Sequence, residues 1–155
     1  MSERLRYIST SIVLQEVPDE VSLAISVSGC THKCDGCHSS YLQKNEGKFL
    51  VDNISDILMW YLGMVTCICF MGGDHNIEEL NECIDAAHNE GYNCCVYLGC
   101  DEVPQGLRTV EYLKIGRYDK QRGGLNNPNT NQRMYKWTGN SYVDITERFY
   151  NAKNL

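Results

Sequence analysis

Basic charge is scarce in this sequence: 14 lysines and arginines stand against 20 aspartates and glutamates, a formal net charge of −6 over 155 residues. A polyanion has no broad electrostatic reason to bind such a chain, which argues against nucleic acid and against an anionic membrane as partners. Long apolar runs are lacking too. Met1-Ser2-Glu3-Arg4-Leu5-Arg6 is followed by neither a membrane-length hydrophobic stretch nor a small-residue cleavage site. Neither a signal peptide nor a membrane span is therefore expected, and a cytoplasmic location is. No repeat, block of like charge or second domain is visible, and the length fits one domain over residues 1–155. An even, spaced set of cysteines is missing as well. The nine present include Cys94-Cys95 side by side and Cys67 close to Cys69, which suits a reducing compartment better than a disulfide framework.

What is present is concentrated in Cys30-Thr31-His32-Lys33-Cys34-Asp35-Gly36-Cys37-His38, where three thiols fall in the spacing C-x3-C-x2-C. Thiolates are soft donors, so a compact group of them selects zinc or iron–sulfur clusters over hard cations. A four-iron, four-sulfur cluster normally takes four Cys thiolates. A loop that supplies only Cys30, Cys34 and Cys37 leaves one iron open, and an open coordination site is what catalysis needs. The competing reading is a structural zinc site completed by His32 or His38, since zinc accepts three thiolates and one imidazole.

Along the chain, apolar runs of strand length alternate with helical patterns. Ile8, Ile12, Val13 and Leu14 allow a short strand, and Pro18-Asp19 marks a turn. Val21–Val27, Val65–Met71, Cys94–Leu98 and Tyr112–Ile115 read as buried strands that run into Gly29-Cys30, Gly72-Gly73-Asp74, Gly99-Cys100 and Gly116. Between them, Asp52 or Asn53 can cap a helix with Ile54, Ile57, Leu58, Tyr61 and Leu62 on its buried face. A second helix is expected to start at Asn76, with Glu79 reaching back as in a capping box, and to stop at Gly91. Such alternation implies a parallel sheet whose ligands sit beyond the strands' carboxyl ends, so the four glycine-bearing ends should converge on one rim. About four βα units are too few for a closed eight-fold barrel. The expected class is therefore α/β, an open partial (β/α) barrel with its core over about 15–118 and a loop-and-hairpin appendage over 119–155.

The combination of Cys30, Cys34 and Cys37 after the first core strand with Gly72-Gly73-Asp74 after the next resembles the radical S-adenosylmethionine superfamily. More narrowly, Val17-Pro18-Asp19-Glu20, Gly36-Cys37-His38-Ser39, Phe70-Met71-Gly72-Gly73-Asp74 and Asn131-Gln132-Arg133, in that order, resemble the activating proteins of anaerobic ribonucleotide reductase. The likeness spans about residues 15 to 150.

This resemblance implies a [4Fe-4S] cluster on Cys30, Cys34 and Cys37 whose unique iron chelates S-adenosyl-L-methionine. Reductive cleavage would yield a 5′-deoxyadenosyl radical, which takes a hydrogen from a glycine of the large reductase subunit and leaves a glycyl radical there. An external one-electron donor such as flavodoxin or ferredoxin would serve the cluster. Gly72 and Gly73 would let backbone meet the methionine moiety, and Asp74 would accept from its ammonium group; the plain reading of the pair is a tight turn. Gly36 and His38 would line the same pocket beside Cys37. Activases of other glycyl-radical enzymes share this chemistry, and a non-catalytic zinc-binding adaptor is the reading from another class.

The chain departs from the pattern in places. It has no glycine-rich segment with an arginine over Val17–Leu23, and it carries His75 where proline is common. Cys67, Cys69, Cys83 and Cys95 read as small buried hydrophobes, Cys94 and Cys100 are left open, and Trp60 and Tyr97 are assigned to the core. Asn131-Gln132-Arg133 is either a docking element for the partner enzyme or a surface turn before the hairpin.

Overall fold

A computed structural model of the chain describes residues 3–29 and 46–151. The strands are β1 (Arg6–Val13), β2 (Ser22–Val27), β3 (Lys48–Phe49), β4 (Cys67–Met71), β5 (Asn93–Tyr97), β6 (Tyr112–Ile115), β7 (Arg133–Trp137) and β8 (Tyr142–Asp144). The helices are α1 (Leu50–Trp60), α2 (Ile77–Asn89) and α3 (Glu147–Asn151). All strands join one 8-stranded sheet in the order β3-β1-β2-β4-β5-β6-β7-β8, open at β3 and β8. Its centre, β2-β4-β5-β6, is parallel, and β1, β3, β7 and β8 add on antiparallel. No helix among the described residues is long and apolar enough to cross a membrane.

The central strands are apolar on both faces because both are covered. One face presents Leu23, Ile25, Ile68, Phe70, Val96 and Leu113 to Ile54, Ile57 and Leu58 of α1 and to Leu80, Cys83, Ile84 and Ala87 of α2. The other face carries Cys67, Cys69, Cys95, Tyr112 and Met134, packed with Val17 and, less deeply, Leu125, Ile145 and Phe149. Thiols there fill the narrow space between the sheet and the segments folded across it, as small polarizable hydrophobes do.

Several expectations change in the structure. Helix α1 starts at Leu50, with Phe49 at its N-cap and no side-chain cap; Asn53 Nδ2 instead donates to the Phe49 carbonyl at 2.8 Å. The helix also stops at Trp60, so Leu62 falls past its end and is exposed, and Trp60, its last residue, is 76% exposed rather than in the core. Asn76 does cap α2, accepting from the Glu79 amide at 3.1 Å. Glu79 does not close the capping box. Its Oε1 takes the Leu5 amide at 2.9 Å and its Oε2 the Arg4 guanidinium at 3.3 Å, so the acid ties the amino-terminal segment to the helix. Between β5 and β6 the crossover carries a turn closed by Leu107 N–H donating to Pro104 O. The β7-β8 hairpin is no separate appendage either: β7 pairs with β6 along its length and continues the sheet.

Candidate functional site

Parallel pairing brings the carboxyl ends of β2, β4, β5 and β6 to one rim. The last inward-facing row runs laterally through Ser26, Met71, Tyr97 and Lys114, each paired with the next across the ladder. Beyond that row come Ser28-Gly29, Gly72-Gly73-Asp74, Leu98-Gly99-Cys100 and Gly116. Cys30, Cys34, Gly36, Cys37 and His38 lie outside the described residues. The chain leaves them and returns on the same side of the sheet: the Ser28 hydroxyl donates to the Glu46 carbonyl and accepts from the Glu46 amide at 3.1 Å, while the Ser28 amide donates to Arg6 O at 2.9 Å.

The double glycine has a local reason that the sequence alone does not reveal. Gly72 and Gly73 both hold a left-handed backbone, φ 113° and 109°, which other residues rarely adopt. A side chain at Gly72 would meet the Val27 carbonyl oxygen at 3.1 Å, and one at Gly73 would meet Leu80 at 3.3 Å. The missing side chains therefore face β2 and α2. The turn also holds itself together: Gly72 N–H donates to Tyr97 O at 2.9 Å, and Gly73 O accepts from Asn76 N–H at 3.2 Å. Close packing against the strand that runs into Cys30 is what these glycines permit.

Around this turn lie three side chains with distinct electrostatics. The Cys100 thiol is pushed up by burial and by the Asp74 carboxylate, and pulled the other way by Lys114, so these three share one electrostatic neighbourhood. Lys114 is only 8% exposed; its Nζ donates to Gly116 O at 2.9 Å and Leu98 O at 3.2 Å and lies 5.9 Å from the centre of the Tyr97 ring. Sequence reasoning read Lys114 only as part of a strand. The signal was available, a lysine inside a buried run one residue from the rim. His75 follows Asp74 with both ring nitrogens buried and, among the described residues, without hydrogen-bond partners, and burial lowers its pKa.

The remaining cysteines among the described residues are free. Cys67, Cys69, Cys83, Cys94 and Cys95 are fully buried, and Cys100 is partly exposed. Burial drives the Cys83 thiol up to about 12 and pushes Cys67 and Cys95 up as well, so these sulfurs stay protonated and pack as apolar groups. Asn131-Gln132-Arg133 is fastened to the rim from outside. Asn131 Nδ2 donates to Arg117 O at 2.9 Å, Gln132 is 8% exposed, and a Cβ on Gly116 would come within 2.8 Å of Gln132 Cα. Gln132 thus secures the loop, and Arg133, 3.5 Å from Asp144, is the more exposed of the two.

Compared with protein-family models, with curated proteins and with solved structures, the chain matches none.

Proposed function

We propose that this protein is a radical-generating activase, acting in the cytoplasm on the glycyl-radical subunit of an anaerobic ribonucleotide reductase. One observation carries the reading: β2, which runs into the Cys30, Cys34 and Cys37 loop, is paired in register with β4, which ends in Gly72-Gly73-Asp74. The motifs that the family resemblance links in sequence are thus supported by adjacency in the sheet, and the open sheet would be the wall of a partial barrel.

The residues present fit the group that the resemblance implies. Three thiolates on a short loop suit a four-iron cluster with one open iron. The rim at the carboxyl end of β2 offers a carboxylate at Asp74, a buried ammonium at Lys114 and, among the described residues, an imidazole without a hydrogen-bond partner at His75. These are complementary to the amino and carboxylate ends of a methionine moiety. When bound, the cluster and S-adenosyl-L-methionine together supply one-electron cleavage to a 5′-deoxyadenosyl radical that abstracts hydrogen from a glycine. The chain's own part is to hold, orient and keep dry. Cys30, Cys34 and Cys37 would ligate; Gly36 and His38 flank the third ligand; Gly72 lets the β4 turn lie against β2 and Gly73 lets it lie against α2; Asp74 would accept from the ammonium. Flavodoxin or ferredoxin would deliver the electron.

The test is anaerobic incubation of the reduced protein with S-adenosyl-L-methionine and a candidate reductase, read by electron paramagnetic resonance. A glycyl radical on the reductase is expected. A protein that cleaves S-adenosyl-L-methionine but radicalises only a different glycyl-radical enzyme would move the assignment to that partner. Zinc that is lost on Cys34→Ala, with no iron taken up on anaerobic reconstitution, would favour the adaptor.

A further inference from the structure

The opposite end of the parallel strands carries a second constellation that the rim chemistry does not use. His88 lies in the last turn of α2, Cys94 is the second residue of β5, and Glu111 immediately precedes β6. One ligand atom from each, the imidazole nitrogen, the sulfur and a carboxylate oxygen, lies within 4.8 Å of the other two. The carboxylate is held in place from two sides: Glu111 Oε1 is 2.8 Å from His88 Nε2 and accepts the Cys94 backbone N–H at 2.7 Å. Among the described residues the Cys94 thiol makes one long hydrogen bond, donating to the Ile84 carbonyl at 3.9 Å. His88 and Glu111 have side chains 32% and 31% exposed, and the Cys94 thiol beneath them is fully buried.

A histidine–glutamate hydrogen bond alone is ordinary structural chemistry. A thiol brought to the same point is not required by it. Zinc binds thiolate at about 2.3 Å, imidazole at about 2.0–2.1 Å and carboxylate at about 2.0–2.2 Å, so ligand atoms on one tetrahedral ion stand about 3–4 Å apart. His88 Nε2 and Glu111 Oε1, 2.8 Å apart, stand slightly closer than that, and the sulfur is within 4.8 Å of both, so ligation needs shifts of about 1 Å, within reach of small torsions in the two partly exposed side chains. A mixed soft and borderline donor set of this kind selects zinc over magnesium or calcium.

We propose that His88, Cys94 and Glu111 form a zinc site that fastens the end of α2 to the starts of β5 and β6. Binding replaces the His88–Glu111 hydrogen bond: the imidazole proton moves by way of solvent from Nε2 to Nδ1, which bares Nε2 as the ligand, the Cys94 thiol proton is released to solvent, and the carboxylate ligates as the anion. Three protein ligands leave a fourth position for water. The site is separate from the cysteine loop and does not depend on the activase reading.

Cobalt(II) reports thiolate ligation directly. In the full chain carrying Cys30→Ser, Cys34→Ser and Cys37→Ser, which removes competing loop thiols, one equivalent of Co²⁺ should give a thiolate-to-cobalt charge-transfer band. Cys94→Ser should abolish that band, and Cys95→Ser, on the opposite face of β5, should leave it. His88→Ala should weaken Co²⁺ binding about tenfold or more. No band in the folded parent, or a band that survives Cys94→Ser, overturns the proposal. Should the serine variants fail to fold, His88→Ala in the otherwise unmodified chain decides. It is expected to lower bound Zn²⁺ by one equivalent in metal analysis, and unchanged zinc content overturns the site.

Discussion

At the scale of single residues, the rim turns on positions where a side chain would be wrong. Gly116 has φ 109° and a Cβ there would lie 2.8 Å from Gln132 Cα, whereas Gly91 has φ 88° and open space around it. Both substitutions to alanine cost backbone strain, and only Gly116→Ala adds a backbone clash. Gly116→Ala is expected to destabilise by about 2–3 kcal/mol and Gly91→Ala by about 1 kcal/mol, read as shifts in denaturant midpoint. The reverse order would remove the packing role of the 131–132 loop. Cysteines divide in the same way by what surrounds them. Changing Cys30, Cys34 or Cys37 to Ala should each abolish reductive cleavage of S-adenosyl-L-methionine, while Cys67→Ala should keep the activity and cost about 1 kcal/mol of stability through lost core volume. His75 adds a pH signature. Its folded pKa lies below the ordinary value of 6.5, so stability is full above pH 6.5 and is lost as pH falls from there towards the lowered folded value, because only the unfolded chain takes up the proton. Denaturant midpoints measured from pH 8 to pH 5 should fall less steeply in His75→Leu than in the unaltered protein, and an identical slope would contradict the burial of that ring.

At the scale of elements, helix α2 shows how tertiary contacts redirect a local motif. Asn76→Ala should cost about 1 kcal/mol as a lost cap. Glu79→Ala should cost more, about 1–3 kcal/mol, because the Leu5 amide loses its acceptor; Glu79→Gln, which can still accept from that amide, should recover most of it. Thermal unfolding of the three variants checks the order. Asn76 was legible because a cap acts within one turn. The destination of the Glu79 carboxylate was not, because Leu5 is 74 residues away in sequence. The same divide runs through the sheet. The four central strands announce themselves as short apolar runs ending in glycine, since a strand covered on both faces must be apolar throughout. β3 is two residues long, and α3 is five, too short for any period to register. Leu62 was misplaced because continuing the helical pattern past Tyr61 ignored where the helix stops, and Trp60 because it lies within α1 away from the buried face of Ile54, Ile57 and Leu58. The row of Ser26, Met71, Tyr97 and Lys114 depends on register between strands, which no single segment encodes.

At the scale of the whole molecule, the sheet separates two ends with different chemistry. One rim gathers glycine turns, Asp74, His75, Cys100 and Lys114 beside the strand that leads to the three loop cysteines; the other end holds His88, Cys94 and Glu111. The carboxyl-terminal segment closes the face without α1 and α2, pinned where Arg148 donates to both oxygens of Asp19 at 2.9 Å and where Ile145 and Phe149 cover the thiol-lined side. The central claim is that the loop of Cys30, Cys34 and Cys37 and the turn of Gly72-Gly73-Asp74 build one site for S-adenosyl-L-methionine on a four-iron cluster. Its most direct test is 5′-deoxyadenosine formation by protein reconstituted with iron and sulfide without oxygen and given strong reductant. The account predicts 5′-deoxyadenosine together with methionine, both lost on Cys34→Ala. Iron-loaded protein that binds the cluster yet forms no 5′-deoxyadenosine, or a protein that takes up no iron, would contradict it.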